Sequence, residues 1–239
     1  MKEKIFGYSK DRSFVVNICI SLFCLIGMVI IPSILAIYII PIVKNDNIAV
    51  LIADFIFIIV LVLLFLKDLV KEKNTYFKDF KKNFKYSFKI YILGYLTSIL
   101  CNLFIAIFLK EISSNESQVR EMLFKNVVPT LISISLIAPI LEELVFRKSL
   151  APLFKNKWAY VIVSGLLFGS AHIMVNFIQG TFVLTDIMYI FPYACLGGSF
   201  ALMDYDTKTT FSSIVIHSMH NTLTAILLLV TYLGPKLGA

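Results

Sequence analysis

The sequence predicts an all-α protein, a polytopic transmembrane helix bundle of about seven spans with a basic interfacial helix between the second and third. Three observations carry this. Of 239 residues, 59% are hydrophobic and only 15% charged, the balance of an integral membrane protein. The apolar residues gather in long runs, near or above the roughly 20 that a helix needs to cross a bilayer, and short polar turns separate them. The 22 lysines and arginines outnumber the 15 acids and concentrate in a few connecting segments, as in cytoplasmic loops. The net charge of +7 therefore points to a lipid surface. Nucleic acid is excluded as a partner, because the aromatic stacking and Lys/Arg patterning of a nucleic-acid module are missing.

The first run extends from Phe14 to about Val43. A secretory h-region is about 7 to 15 residues, so this run reads as an uncleaved anchor, with Pro32 and Pro41 as points of bending. After the turn Lys44 to Asn47 a second span covers roughly Ile48 to Leu66, with Asp54 inside it as a helix-packing residue. The segment Lys67 to Lys89 holds eight lysines and three acids. In it Phe77, Phe80, Phe84 and Phe88 recur at spacings of three and four, an aromatic side for the headgroups with lysines toward anionic lipid. A third span runs from about Tyr91 to Leu109, followed by a charge-balanced segment to Lys125.

The fourth span starts near Val127 and continues through Pro152 to the turn Lys155-Asn156-Lys157. Trp158 to Phe177, Phe182 to Met203 and Phe211 to Leu233 complete the set, with a polar link from Asp204 to Thr210. The chain thus divides into an amino-terminal membrane region, 1–126, with three spans and the basic loop 67–89, and a four-span core, 127–233. With the amino terminus inside, 17 of the 22 basic residues fall in cytoplasmic segments and five outside, which selects a multi-pass protein of the cell membrane with a cytoplasmic amino terminus. Cys19, Cys24, Cys101 and Cys195 are scattered through apolar runs and read as small core residues, neither disulfides nor zinc ligands.

Chemistry concentrates where Glu142, Glu143 and Arg147 interrupt the fourth span. A charge at membrane depth costs roughly 2.5 to 3.5 kcal/mol on insertion scales, so such groups face a bundle interior and pair with one another. Glu143 and Arg147, four apart, share one helical face, which leaves Glu142 over. All three histidines also lie in predicted spans. Glu142 stands 14 residues before Asn156 and His172 stands 16 after it, so antiparallel helices rising about 1.5 Å per residue bring both to one depth. His217 and Asn221, four apart, share a face of the last span, and His220 reads as a packing residue. A carboxylate, two imidazoles and an amide at similar depth suit hydrolysis of an amide by water: the carboxylate takes the proton, histidine holds the water or relays, and an imidazole with an amide N–H meets the oxyanion.

The ordered trio EExxxR (Glu142, Glu143, Arg147), FxxxH (Phe168 to His172) and HxxxN (His217 to Asn221), on separate spans, resembles the CPBP intramembrane proteases, which include the CAAX-prenyl endopeptidases and the bacterial Abi proteins. The resemblance covers about Val127 to Leu233. It implies an intramembrane endopeptidase acting on a membrane-associated protein or peptide. It further implies that Glu142 activates water with His172, that His217 and Asn221 support the oxyanion, and that Glu143 and Arg147 support the site. The family has been described as metal-dependent, and a metal-free glutamate mechanism has also been argued for it. This chain has no HExxH or other ligand pair local to one helix, so no cofactor is expected; zinc on Glu142, His172 and His217 is the alternative.

Other readings use the same residues differently. Gly197-Gly198-Ser199 resembles the GxS of rhomboid-type proteases and would pair Ser199 with His217, leaving the two glutamates and His172 without a task. An aspartyl protease would need two aspartates at one depth, and no GxGD occurs. A transporter would show paired broken-helix halves, which are not visible. A non-catalytic membrane scaffold or bacteriocin self-immunity protein, in which the polar cluster only holds helices together, is the rival from another class.

The orientation is testable with single cysteines in a background lacking the native four. An impermeant thiol reagent is expected to label Asn115→Cys but not Asn74→Cys in intact cells; labelling at Asn74→Cys contradicts it.

Overall fold

Hydrogen-bonding side chains mark where the helices begin. Ser13, Asn45, Ser113 and Asn156 each accept the backbone N–H three residues on, satisfying a donor that the first turn leaves open. The computed structural model describes residues 12–108 and 113–237, without the side chains of 114, 115, 175, 179 and 232–237. The polar opening before Arg12 and Leu109, the expected end of the third span, lie outside the described residues.

The α-helices are α1 (Phe14–Val43), α2 (Asp46–Lys78), α3 (Phe80–Phe108), α4 (Ser114–Lys125), α5 (Val127–Ile132), α6 (Ala138–Glu143), α7 (Lys157–Gln179), α8 (Ile190–Thr207) and α9 (Thr210–Leu237). Two π-helical segments, Ser133–Ile137 and Leu144–Ser149, flank α6, and 3₁₀ turns occupy Ala151–Leu153 and Leu184–Tyr189. No strand occurs among the described residues. Seven stretches are long and apolar enough to cross a membrane: α1, α2, α3, Val127–Leu153, Lys157–Ile178, Leu184–Thr207 and Thr210–Thr231. This is a multi-pass membrane protein, and its α1 side chains Ile37 and Ile42 stand exposed as lipid-facing residues do.

The basic stretch Lys67–Lys89 departs from a separate interfacial helix. It forms the last turns of α2 and the first of α3, with only Asp79 between them. Its aromatic stripe does form, with Phe77, Phe80, Phe84 and Phe88 stacked in sequence at centroid distances of 6.3, 5.8 and 6.1 Å. The reason for the departure is tertiary. Glu72 and Tyr76 are buried, and the Glu72 carboxylate takes both Lys148 Nζ and the Thr210 N–H (2.9 Å) at the start of α9. These bonds pin the end of α2 to the bundle.

In the second half α8 is held between α3 and α7 by close backbone approach. A Cβ on Gly94 would lie 2.5 Å from that of Ser199, and one on Gly169 would lie 2.4 Å from the Ile190 carbonyl oxygen. Small residues let membrane helices meet this closely without a hydrophobic driving force. The cysteines are free, with Cys101 and Cys195 touching at 3.9 Å between α3 and α8. Cys24 is a core residue as expected, whereas Cys19 is exposed.

Candidate active site

The site is built on the distorted helix Val127–Leu153. Pro139 has no N–H, and its ring disfavours an ordinary helix in the turn before it. The backbone responds by widening: Ala138 N–H bonds to the Ser133 carbonyl, five residues back. The Ile134 carbonyl then loses both backbone partners, since Ala138 is taken and Pro139 has nothing to donate. Asn221 supplies the missing donor, its Nδ2 reaching Ile134 O at 2.9 Å from α9. A carbonyl left without a partner away from water is costly, so this part-buried bond ties α9 to the site helix at one height. Such π segments recur at functional sites.

Below Pro139, α6 ends in Glu142 and Glu143, which the helix turns to different surroundings. Glu143 and Arg147 are fully buried and meet through Oε2 and Nε at 3.1 Å. The Nε–H is not aligned for a hydrogen bond, so the contact is one of charge. Arg147 also donates from Nη2 to the Gly197 carbonyl (2.9 Å), and its guanidinium lies 4.7 Å from the Phe168 ring centre and 5.5 Å from that of Phe200. Aromatic faces of this kind stabilise a desolvated cation.

The second oxygen of Glu143 accepts from His217 Nδ1 at 2.9 Å. A carboxylate held by Arg147 can only accept, so Nδ1 carries the hydrogen and Nε2 is turned the other way. Phe200 stacks on the imidazole at 4.5 Å and 22° and fixes its plane. Nε2 then lies 3.7 Å from Glu142 Oε2, too far for a direct hydrogen bond and close enough for one water to touch both. Glu142 Oε2 is buried with no hydrogen-bond donor among the described residues, while the side chain as a whole keeps 18% of its surface open. It is the unspent carboxylate of the cluster.

His172 completes the wall. Its Nδ1 meets the Phe168 carbonyl of its own helix at 2.8 Å, which places the hydrogen on Nδ1 and leaves Nε2 as an acceptor in the neutral ring. Tyr193 stacks on it at 4.2 Å, and Phe168 lies between the two imidazoles, 4.5 Å from His172 and 5.7 Å from His217. His172 is within electrostatic range of Glu142 and His217, and Asp54 of α2 is within range of Glu142.

The six residues selected from sequence therefore do not all meet in one chain of contacts. Arg147, Glu143, His217 and Glu142 do; His172 joins through the aromatic wall; Asn221 spends one N–H on Ile134 and keeps another. His220 turns away to Tyr91, its Nδ1 3.1 Å from the phenol oxygen. Ser199 donates to its own helix at Leu196 (2.7 Å) and packs on Gly94, so the next residue, Phe200, is the one that meets His217. Phe200 and Tyr193 are the residues that sequence reasoning missed, because a lone aromatic in an apolar run carries no signal of its own.

Of the residues that would hold zinc in the alternative, His172 and His217 each engage Nδ1 with a protein oxygen and leave Nε2 available, while among the described residues no group of three or more His, Cys, Asp or Glu side chains is gathered closely enough to hold an ion.

Pro139 and Asn221 should be energetically coupled through the Ile134 carbonyl. Asn221→Ala should cost about 1 kcal/mol of stability in detergent, the penalty for a part-buried carbonyl left without its donor. In a Pro139→Ala background, where an N–H becomes available to Ile134, the same change should cost clearly less. Equal losses in thermal unfolding of the two backgrounds contradict the assignment.

Residues 124–223 match the family model described as Rce1-like, type II CAAX prenyl endopeptidase. No curated protein and no solved structure matches the chain. The matched stretch contains both π segments, the Glu142-Glu143-Arg147 group, His172, His217 and Asn221. In activity the match supports an intramembrane protease of the CAAX type in general. The match covers less than half of the chain, and together with the ordered motifs and the buried cluster they build it supports a likeness to the CPBP intramembrane proteases.

Proposed function

We propose that the protein is an intramembrane endopeptidase that hydrolyses a peptide bond of a membrane-associated protein or peptide, using water activated by Glu142 and His172 and no metal. The observation that carries this reading is Glu142 Oε2, a buried carboxylate oxygen with no donor among the described residues, 3.7 Å from His217 Nε2, beside the Glu143 and Arg147 charges that already pair with each other.

Glu142 removes a proton from water as the water oxygen bonds to the scissile carbonyl carbon. The oxyanion that forms is met by the remaining N–H of Asn221 and by His217. Since His217 Nδ1–H is given to Glu143, His217 donates from Nε2 only as the imidazolium, a charge flanked by Glu143 and Glu142. The proton held by Glu142 then passes, with His172 Nε2 as relay, to the departing amide nitrogen as the C–N bond breaks. Arg147 and Glu143 touch no reacting atom in this scheme; they position His217. The four-span core 127–233 supplies all these groups, in a cell-membrane protein with its amino terminus in the cytoplasm.

A non-catalytic scaffold or self-immunity protein draws on a different observation, that Asn221, Glu143 and Arg147 are each engaged in holding helices together. The two readings separate at Glu142→Gln, which preserves shape and removes the base. Mass spectrometry of membrane-derived peptides from cells carrying wild type or this variant should show one set of cleavage products lost, with unfolding of the purified proteins unchanged. Identical peptide sets support the scaffold. For the metal, activity should survive chelation; near-stoichiometric zinc, activity lost on its removal and regained on its return, contradicts the metal-free scheme.

A further inference from the structure

On the side of α8 turned from the cluster, α3 and α7 rise as walls over a floor of small and apolar side chains. The groove between them encloses about 390 Å³, with Ile90, Leu93 and Gly94 on one wall, Ile162 and Leu166 on the other, and Gly198 in the floor. A Cβ built on Gly198 would meet only Val161, at 3.7 Å, so the floor there is open. From Phe191 to Leu202 the groove follows twelve residues of α8, roughly 16 Å along the axis. That is half of a hydrocarbon core about 30 Å thick, the depth of one leaflet. A transmembrane helix, of a substrate or of a second copy, would need the full thickness.

The two ends of the groove differ in charge. At the end where α7 begins, Trp158 is 58% exposed and lies on the helical stripe that continues as Ile162 and Leu166. On α3, Lys89 is exposed one turn before Leu93, and Lys82, also exposed, stands seven residues earlier on the same flank. Lys157 Nζ lies 5.4 Å from the Trp158 ring and donates to both oxygens of Asp206 at 2.7 Å, and Tyr86 donates to the same carboxylate at 2.5 Å. Asp206 thus ties the walls together at this end and absorbs one positive charge. Lys82 and Lys89 add two more, beside an aromatic ring suited to the headgroup level.

We propose that this groove binds an anionic phospholipid of the bilayer, one acyl chain lying along α8 over Gly198 and the phosphate held at the rim by Lys82 and Lys89 beside Trp158. Length selects a lipid chain over a helix, and the lysine-bearing rim selects a net negative headgroup over a zwitterionic one. The site is separate from the Glu142 cluster and does not depend on the reaction assigned to it.

Trp158 is the chain's sole tryptophan, so its fluorescence reports on the rim alone. The full chain is reconstituted in vesicles carrying acyl-brominated phosphatidylglycerol or, separately, acyl-brominated phosphatidylcholine, each titrated into unlabelled phosphatidylcholine. Half-maximal quenching is expected at about tenfold lower mole fraction for the anionic lipid. Lys82→Gln with Lys89→Gln should bring the two curves together without altering the phosphatidylcholine curve. Gly198→Leu, which fills the floor, should also abolish the preference while the lysines remain. Equal quenching by the two lipids in wild type overturns the proposal, as does a preference that survives the lysine pair or Gly198→Leu. Quenching that depends instead on protein density in the vesicle marks a second copy as the occupant and equally overturns it.

Discussion

The buried pair of Glu143 and Arg147 is the constraint from which the rest of the site follows. Two charges removed from water lose several kcal/mol each in solvation, and their attraction alone seldom recovers it. Here the deficit is met by neighbours: Gly197 O and the rings of Phe168 and Phe200 for the guanidinium, His217 for the carboxylate. These neighbours come from three further helices, Phe168 from α7, Gly197 and Phe200 from α8 and His217 from α9. Satisfying one ion pair therefore fixes four elements relative to one another, and it also decides which face of His217 meets Glu142.

The distortion of the site helix works in the same direction. Pro139 forces a wide turn and strands the Ile134 carbonyl, and the stranded carbonyl captures Asn221. One residue past Arg147, Lys148 is buried too and pairs with Glu72, whose other oxygen receives the first N–H of α9. The second π segment thus presents adjacent cations to two different partners, Arg147 inward to the site and Lys148 toward α2. Helix α9 is held at Asn221, His217 and Thr210, each time by a group that was short of a partner.

Local geometry explains what could be read from sequence. Glu143 with Arg147 is an i, i+4 pair, and the common depth of Glu142 and His172 follows from residue counts about one turn; neither needs knowledge of how distant helices pack. The seven spans were legible for the same reason, since length and polarity are local. The role of Asn221 was not, because a π register leaves no mark in composition and the carbonyl it serves lies 87 residues away. The stretch from Lys67 to Lys89 misled in a related way. Its lysines and phenylalanines have interfacial spacing, but Glu72 is drawn inward by Lys148, 76 residues on, so the helix continues into the bundle. Phe200 and Tyr193 act only through stacking on histidines that sequence alone could not bring beside them.

The account rests most on the claim that the ion pair sets the imidazole of His217, with Nδ1–H given to Glu143 and Nε2 facing Glu142. Nitrogen-15 NMR of histidine-labelled protein reads this directly through the one-bond N–H couplings and shifts of each ring nitrogen. Both His217 and His172 are predicted to carry hydrogen on Nδ1, and His217 alone should lose that preference in Glu143→Leu, which removes the acceptor. A wild-type His217 bare at Nδ1 and protonated only at Nε2 would contradict the account.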